Sequence, residues 1–308
     1  MKKLFTNLLC IIGFLTIAVG IYAALGSNTI VTEQTDQQAQ QIIFTPPPTP
    51  TQLTLFGERM PLEYPDVFES FDREVFTNSY YHSSTIRILK LVPRFFPIIK
   101  PILKEEGVPE DFIYLAVAES ALNPIAISPA GAAGFWQFMK KTAPEYGLEV
   151  NAEIDERYHI EKATRAACLY FKKSYERLGN WTAVAATFNA GTSGVMREMN
   201  RQKQDNYYNL LLNSETSRYV FRIAALKLII ENPIRYGFYI PDHAKYKPWK
   251  TRTIKVSTSI PNFPDWCSEH NTNYKILKTL NPWLRDVKLD NASGKTYTIK
   301  LPAKGERI

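Results

Sequence analysis

Residues 119–139 read ESALNPIAISPAGAAGFWQFM, a glutamate at the end of an apolar segment followed by a loop of small residues. The segment before it predicts a helix over Pro109–Leu122, because Pro109 suits a first helical turn and the residues that follow are mostly apolar. Asn123 ends that helix, since a residue before proline is pushed out of the α region. Glu119 is therefore expected in the last turn of a buried helix.

The predicted setting of Glu119 favours its protonated form. Apolar neighbours disfavour a carboxylate, and so does the negative C-terminal end of the helix dipole. Both effects raise the pKa of the carboxyl, as a general acid working near neutral pH requires. The alternative is a glutamate that points to solvent, as most helical glutamates do.

The loop Ser128–Gly134 has almost no side-chain bulk. A ligand could lie against its backbone and meet free N–H and C=O groups, although a tight structural turn explains the same composition. Gln137 and Met139 follow this loop at a spacing of two. The loop strengthens the functional interpretation of Glu119.

Three blocks of the sequence resemble the lytic transglycosylases with a goose-lysozyme-like catalytic domain. The first is the family's pattern of Glu-Ser, Asn-Pro, Ser-x-x-Gly-Ala-x-Gly, Gln and Met, complete between Glu119 and Met139. The second, AATFNAG at 185–191, has Phe188 where the family has Tyr, and the third, ETSRYV at 215–220, is similar to the membrane-bound murein transglycosylase D branch. The resemblance covers about residues 68–235. It implies a mainly α, lysozyme-like catalytic domain.

The resemblance also implies a mechanism with a single carboxyl. Glu119 is expected to protonate the glycosidic oxygen between N-acetylmuramic acid and N-acetylglucosamine, and then to remove the proton from the muramic C6 hydroxyl, which closes a 1,6-anhydro ring. Neither a metal nor a cofactor is expected. A muramidase that hydrolyses the same bond and a non-catalytic peptidoglycan-binding scaffold are the alternatives.

Motif matching assigns substrate contacts residue by residue. The residues expected to line the glycan cleft are Ser128, Gln137, Met139 and Asn189, with Tyr219 near the carboxyl. Met139 could equally belong to the core, and Trp136 is expected to pack. Because Phe188 lacks a hydroxyl, Tyr219 is expected to orient Glu119 in its place.

The N-terminal segment 1–26 predicts a membrane anchor or an export signal. Lys2 and Lys3 precede an uncharged run of about 22 residues, and roughly 20 suffice to span a bilayer. An uncleaved anchor is favoured because the run is longer than the apolar part of a signal peptide, although cleavage near Gly26 is the alternative. Segment 27–54 is rich in Gln, Thr and Pro and predicts a stalk. Together with the family resemblance, these features predict that the catalytic domain lies in the periplasm of the bacterial cell envelope.

The catalytic domain is predicted at 55–240, and the pattern of the sequence changes after it. A strand near Thr253, two short helices and a last strand at Lys295–Leu301 resemble a LysM-type glycan-binding module over 251–303. The segment IPNFP at 260–264 departs from the family's usual first turn. Glycan binding and a purely packing role are both open for this small α+β module.

Composition limits the remaining classes. A net charge of +7 fits an anionic partner such as cell-wall glycan with its acidic peptides, whereas the sequence has neither a nucleic-acid-binding motif nor a concentrated basic stripe. Nucleic acid is therefore not an expected partner. The three cysteines have the spacing of neither a disulfide framework nor a metal site.

Overall fold

The structure is a computed structural model that describes residues 45–306. It begins with a hairpin of β1 (Leu53–Leu55) and β2 (Glu58–Met60), in which Leu53 pairs with Met60. Strand β1 starts inside the segment predicted as a stalk, 27–54. The predicted segment 1–26 and most of that stalk lie outside the described residues.

Seven helices follow the hairpin in the catalytic part. They are α1 (Pro65–Tyr80), α2 (His82–Glu105), α3 (Phe112–Ser120), α4 (Ile160–Leu178), α5 (Trp181–Ala190), α6 (Thr192–Gln202) and α7 (Ser214–Glu231). Short 3-10 turns at 143–146, 156–158, 207–209, 233–236 and 242–244 connect or follow them.

Helix α3 lies at the centre of this part, between α2 and α7. All residues from Phe112 to Val117 are buried, as the unbroken apolar run predicts. Burying a Phe, Leu or Ile side chain stabilises a fold by about 1.5–3 kcal/mol, so α3 is firmly held. It is shorter than predicted and ends at Ser120, because Ala121 and Leu122 both adopt left-handed conformations with φ of 48° and 56°.

Helix α2 contains Pro93, Pro97 and Pro101, which predict a kink or a division. The helix is not divided. Pro97 and Pro101 are exposed, so water can reach the carbonyl groups that lose their partners on that side. Helix α6 was not predicted from the sequence, because its residues are mostly polar and its buried residue is Val195.

The C-terminal module consists of β3 (Thr251–Val256), α8 (Phe263–Glu269), α9 (Tyr274–Leu280) and β4 (Tyr297–Pro302). The strands pair antiparallel, with Thr251 opposite Pro302 and Val256 opposite Tyr297. The predicted fold class is confirmed: a mainly helical domain followed by a small α+β module.

The core of the module extends into the catalytic part. Ala133, Ile154 and Tyr158 belong to the same buried cluster as Phe263, Leu277, Trp283, Leu284, Ile299 and Leu301. From Pro47 onward, the described residues accordingly form one compact unit. Within residues 45–306 no helix has both the length and the apolar character needed to cross a bilayer.

Candidate active site

Glu119 lies in the last turn of α3, half-buried, and Oε1 of its carboxyl accepts a hydrogen bond from the phenol of Tyr219. Burial raises the pKa of Glu119 to about 6, against the opposing effects of the Tyr219 hydrogen bond and the charge of Arg222. The charge of Glu215 adds to the increase. The carboxyl can therefore hold a proton at a mildly acidic pH and release it near neutrality.

Tyr219 is almost completely buried on α7, with 2% of its surface exposed. Burial and the neighbouring Glu119 raise the pKa of this phenol well above its ordinary value. The hydroxyl is thus a permanent donor to the carboxyl. The sequence expectation that Tyr219 lies beside Glu119 agrees with this contact.

Arg222 lies one turn beyond Tyr219 on α7, and its Nε is 3.8 Å from Oε2 of Glu74. Glu74 is 1% exposed and accepts a 2.6 Å hydrogen bond from Arg218. A buried carboxylate therefore helps to hold the cation that moderates the pKa of Glu119. Sequence reasoning missed Glu74 and Arg222, because they come from two helices and no motif joins them.

Asn189, at the end of α5, is tied to the start of α7. Its Oδ1 accepts a 2.8 Å hydrogen bond from Thr216, and its Nδ2 donates to Glu215 at 3.2 Å. Asn213 caps the same helix by accepting from the backbone N–H groups of Glu215 and Thr216. The second and third sequence blocks thus meet at the first turn of α7, the helix that carries Tyr219.

The small-residue loop is closed by its own polar groups. Oγ of Ser128 accepts from the N–H of Ala132 at 3.0 Å, while Nε2 of Gln137 donates to the carbonyl of Gly134 at 2.8 Å and to that of Ala126 at 3.3 Å. Gln137 has a left-handed backbone, with φ of 47°. Both side chains fix the loop in this structure, and their contact with substrate stays a prediction.

Gly134 permits a close approach that no other residue allows. Its φ is 78°, and a Cβ at this position would lie 1.9 Å from the carbonyl oxygen of Arg157. The loop is therefore pressed against the chain at residue 157. The family pattern showed this glycine, but the sequence did not show its neighbour.

Arg157 and Asp155 form a buried clamp under the loop. The guanidinium donates to both carboxylate oxygens of Asp155, at 2.9 and 2.7 Å, and its Nη1 also donates to the carbonyls of Gly131 and Phe138 at 2.8 and 3.1 Å. Both side chains are buried. This pair was not predicted from the sequence, since an isolated Asp-x-Arg in a loop is not a recognisable motif.

Met139 and Trp136 have different environments. Met139 is 43% exposed, so it does not belong to the core. Trp136 is fully buried, and its indole donates to Thr164 at 2.9 Å. Met139 thus remains available as a substrate contact, and Trp136 packs as expected.

Phe188 lies in an aromatic cluster beneath the site. Its ring centroid is 5.2 Å from those of Tyr170 and Phe171, and 6.0 Å from that of Phe138. The ring fills space in this cluster without offering a hydrogen bond. Orientation of Glu119 by a phenol therefore depends on Tyr219.

The C-terminal module touches the clamp directly. The N–H of Asp155 donates to the carbonyl of Trp283 at 2.9 Å, and Ile154 forms a β-bridge with Leu284. A few residues before the clamp in sequence, Glu149 accepts hydrogen bonds from Lys295 and Tyr297 of the module. Among residues 45–306 no group of three His, Cys, Asp or Glu side chains could hold a metal ion, so no metal ligands are assigned.

Comparison with known proteins gives two domain matches and a set of relatives. The transglycosylase SLT domain matches residues 96–211, and the soluble lytic transglycosylase C-terminal LysM-like domain matches 252–305. Membrane-bound lytic murein transglycosylase D of Escherichia coli (strain K12) is 30% identical over 251 residues, which are 79% of this chain and 54% of that protein. The chain thus spans about half the length of the curated relatives it matches.

Two solved structures show partial similarity. The 70 kDa soluble lytic transglycosylase SLT70 of Escherichia coli has a TM-score of 0.39 and 20% identity, covering 50% of this chain and 26% of that one. The lytic transglycosylase Slt of Pseudomonas aeruginosa, in an inactive mutant form, has a TM-score of 0.37 and 20% identity, covering 51% and 28%. With the motifs, the domain matches and the relatives taken together, the chain contains a transglycosylase SLT domain and a LysM-like C-terminal domain.

Proposed function

We propose that this chain is a peptidoglycan lytic transglycosylase that cleaves the bond between N-acetylmuramic acid and N-acetylglucosamine and leaves 1,6-anhydro-muramic ends. The observation that carries the proposal is the carboxyl of Glu119, half-buried, held by the Tyr219 phenol and with a pKa raised to about 6. Such a group can donate a proton in one step and accept one in the next. The SLT domain match supports the proposal, because Glu119 lies within the matched residues 96–211.

The proposed reaction uses the two protonation states of Glu119 in turn. The protonated carboxyl gives its proton to the glycosidic oxygen while the bond from that oxygen to the muramic C1 breaks. The substrate's N-acetyl group stabilises the oxocarbenium-like centre. The resulting carboxylate takes the proton of the C6 hydroxyl, O6 bonds to C1, and no water is consumed.

Tyr219 is the positioning residue in this scheme. Its hydrogen bond fixes the carboxyl and stabilises the carboxylate formed after the first step. Arg222 acts in the same direction through its charge. Together they keep the pKa of Glu119 from rising to a value at which the carboxyl could no longer act as a base near neutral pH.

At the proposed glycan-binding site around Glu119, the proposed substrate contacts are Ser128, Gln137, Met139 and Asn189. Met139 is exposed, and Asn189 is held next to α7 by Thr216. Ser128 and Gln137 fix the backbone of the loop, so their role is to present its N–H and C=O groups to the glycan.

Hydrolysis of the same bond is the second candidate, and Glu215 is the observation that favours it. A hydrolase ordinarily uses a second carboxylate to activate water or stabilise the intermediate. The charge of Glu215 raises the pKa of Glu119, so the two carboxyls interact. A non-catalytic scaffold is the third candidate, although a scaffold would not require a glutamate with a raised pKa.

The proposed location is the bacterial cell envelope, with the catalytic domain in the periplasm. The supporting facts are the apolar segment 1–26 and the similarity to a protein named as membrane-bound. In this proposal 1–26 anchors the chain, 27–54 is the stalk, 55–240 is catalytic and 251–303 is the LysM-like module. Cleavage of the signal, with release into the periplasm, is the alternative.

Mass spectrometry of the products tests the function. Sacculi digested by the wild-type chain should yield muropeptides with anhydro ends, about 18 Da lighter than hydrolytic products, because an internal hydroxyl attacks in place of water. Reducing ends alone would assign the chain as a muramidase. Cleavage undiminished in Glu119→Gln would show that Glu119 is not the acid, and no cleavage by any form would favour the scaffold.

A further inference from the structure

A cleft of about 890 Å³ lies between the catalytic part and the C-terminal module. It is lined by residues of α2, of the segment that follows α3 in sequence, of the stretch 246–251, and of α9 with the loop after it. Neither Glu119 nor Tyr219 is among the described residues that line it. Clefts of roughly 300–1,000 Å³ are typical of ligand sites, so this one has room for a ligand of its own.

Positive charge in the cleft is not neutralised. None of five cationic lining residues forms an ion pair with a carboxylate of residues 45–306; they are Arg87, Arg94, Lys275, Lys278 and Arg285. The acidic residue among the described lining residues is Glu161, which is already paired with Lys300 and contacted by His159. The cleft therefore carries an excess of positive charge that suits an anionic ligand.

Aromatic rings and backbone carbonyl groups, and not carboxylates, hold several of these cations. The guanidinium of Arg94 lies 4.6 Å from the ring centroid of Trp249, and that of Arg285 lies 4.4 Å from the ring of Tyr158. Nζ of Lys278 lies 5.3 Å from the ring of Tyr274. Cation–π contacts position a cation but leave its charge available to a bound anion.

Two of the cations are partly removed from water. Burial lowers the pKa of Arg94, and burial together with the charge of Arg285 lowers the pKa of Lys278 to about 8. A cation with reduced hydration gains more from an anionic partner than one that is fully solvated. Both observations indicate a site prepared for negative charge.

The position of the cleft connects it to the proposed substrate. Asn123 and Pro124 line it, and they follow within five residues of Glu119 along the chain. A polymer bound at Glu119 can thus extend toward the cleft. Peptidoglycan is such a polymer, and its stem peptides carry carboxylates that a guanidinium can bind through two parallel hydrogen bonds.

We propose that this cleft is a second binding site, for the carboxylate-bearing stem peptides of the peptidoglycan strand whose glycan lies at Glu119. The inference rests on the proposed function and extends it to the peptide part of the substrate. Attachment of the stems to the same strand raises their effective concentration at the cleft, which favours them over a free phosphate or another polyanion.

Binding measurements on the full-length chain test this site. Glu119→Gln is introduced throughout so that strands are not cut, and calorimetry compares strands that carry stems with strands from which an amidase has removed them. The cleft variant Arg87→Gln/Lys275→Gln removes one exposed cation from each wall. Its matched control, Lys255→Gln/Lys304→Gln, removes two exposed charges outside the cleft.

We expect stem-bearing strands to bind the parent and the control at least about tenfold more tightly than stripped strands, because charge-assisted hydrogen bonds are involved. The cleft variant should lose this preference. Equal binding of both strands by the parent, an undiminished preference in the cleft variant, or tighter binding of polyphosphate than of stem-bearing strands would overturn the proposal. A wrong proposed function would show separately, as hydrolytic products or no products from the wild-type chain.

Discussion

The phenol of Tyr219 donates to Oε1 of Glu119 across 100 positions of sequence, and this bond joins the last turn of α3 to the second turn of α7. Because the packing of the two helices fixes both residues, the carboxyl is oriented before any substrate arrives.

Replacing Tyr219 by Phe should lower turnover by at least about tenfold, equivalent to roughly 1.4 kcal/mol of transition-state stabilisation. The hydrogen bond lowers the pKa of Glu119, so its loss should move that pKa above about 6 and shift the pH–rate profile to higher pH. Steady-state rates on soluble glycan strands across pH 5–8 measure both effects. Phe188→Tyr serves as the comparison and should change turnover less, since its ring lies in the aromatic cluster. An unchanged rate and profile in Tyr219→Phe would contradict the role assigned to the phenol.

Glu119→Gln should abolish cleavage, because the amide keeps the shape of the side chain but has no proton to transfer. It should also change how stability depends on pH. The folded-state pKa of about 6 lies above the ordinary 4.5, so the carboxyl favours folding below pH 4.5 and loses that contribution as the pH rises through 6. The variant, which does not ionise, should therefore gain about 1–2 kcal/mol relative to wild type between pH 4.5 and pH 7. Thermal unfolding of both forms over this range measures the difference, and a constant difference would contradict the raised pKa.

Gly134→Ala should destabilise the chain far more than Gly131→Ala. Both glycines have positive φ, 78° and 85°, so each substitution strains the backbone by about 1–2 kcal/mol. A Cβ at Gly131 meets no heavy atom of the described residues within 4 Å, whereas at Gly134 it meets the carbonyl oxygen of Arg157. Urea unfolding of the pair isolates the cost of that contact. Equal losses would show that the loop is free to move away from Arg157.

Ile154→Ala should weaken the catalytic part and the C-terminal module together. Ile154 is 1% exposed, belongs to the core of the module and lies next to Asp155 of the clamp. Truncating such a side chain costs about 2–5 kcal/mol. We expect a single unfolding transition at lower temperature by calorimetry and a loss of cleavage on short soluble glycans. Two separate transitions, with the catalytic one unchanged, would indicate a module that is merely tethered.

The contact with Ile154 also bears on removal of residues 251–308. A tethered binding module predicts weaker retention on insoluble peptidoglycan with little effect on short glycans. The shared core instead leads us to expect losses on both substrates, because Ala133, Ile154 and Tyr158 would be uncovered. The ratio of activities on sacculi and on short strands, measured for the truncated and complete chains, distinguishes the two.

Much of this arrangement could be predicted from the sequence, for local reasons. The apolar run from Phe112 predicts α3, and the spacing from Glu119 to Met139 predicts the candidate acid and the loop that follows it. The partnership of Glu119 with Tyr219 was also expected, although on motif grounds alone. The confirmed fold class follows from the same local periodicities.

What the sequence did not show depends on pairs brought together by packing. Glu74 with Arg222 and Asp155 with Arg157 have ordinary sequence surroundings, and their importance appears only when helices and loops meet. Likewise, the close approach of the Arg157 carbonyl oxygen to Gly134 can be seen only in the three-dimensional structure. Contacts of this kind have no periodicity to detect.

The core that the catalytic part shares with the C-terminal module affects the order in which the chain can fold during synthesis. Synthesis proceeds from the N-terminus, so the segment with Ala133, Ile154 and Tyr158 emerges more than a hundred residues before Trp283 and Leu284 arrive to cover it. Until then an apolar patch stays open and the carbonyl that receives the N–H of Asp155 is missing. The nascent catalytic part is thus incomplete, and its small-residue loop, Ser128–Gly134, acquires its final support only after Trp283 and Leu284 have been made.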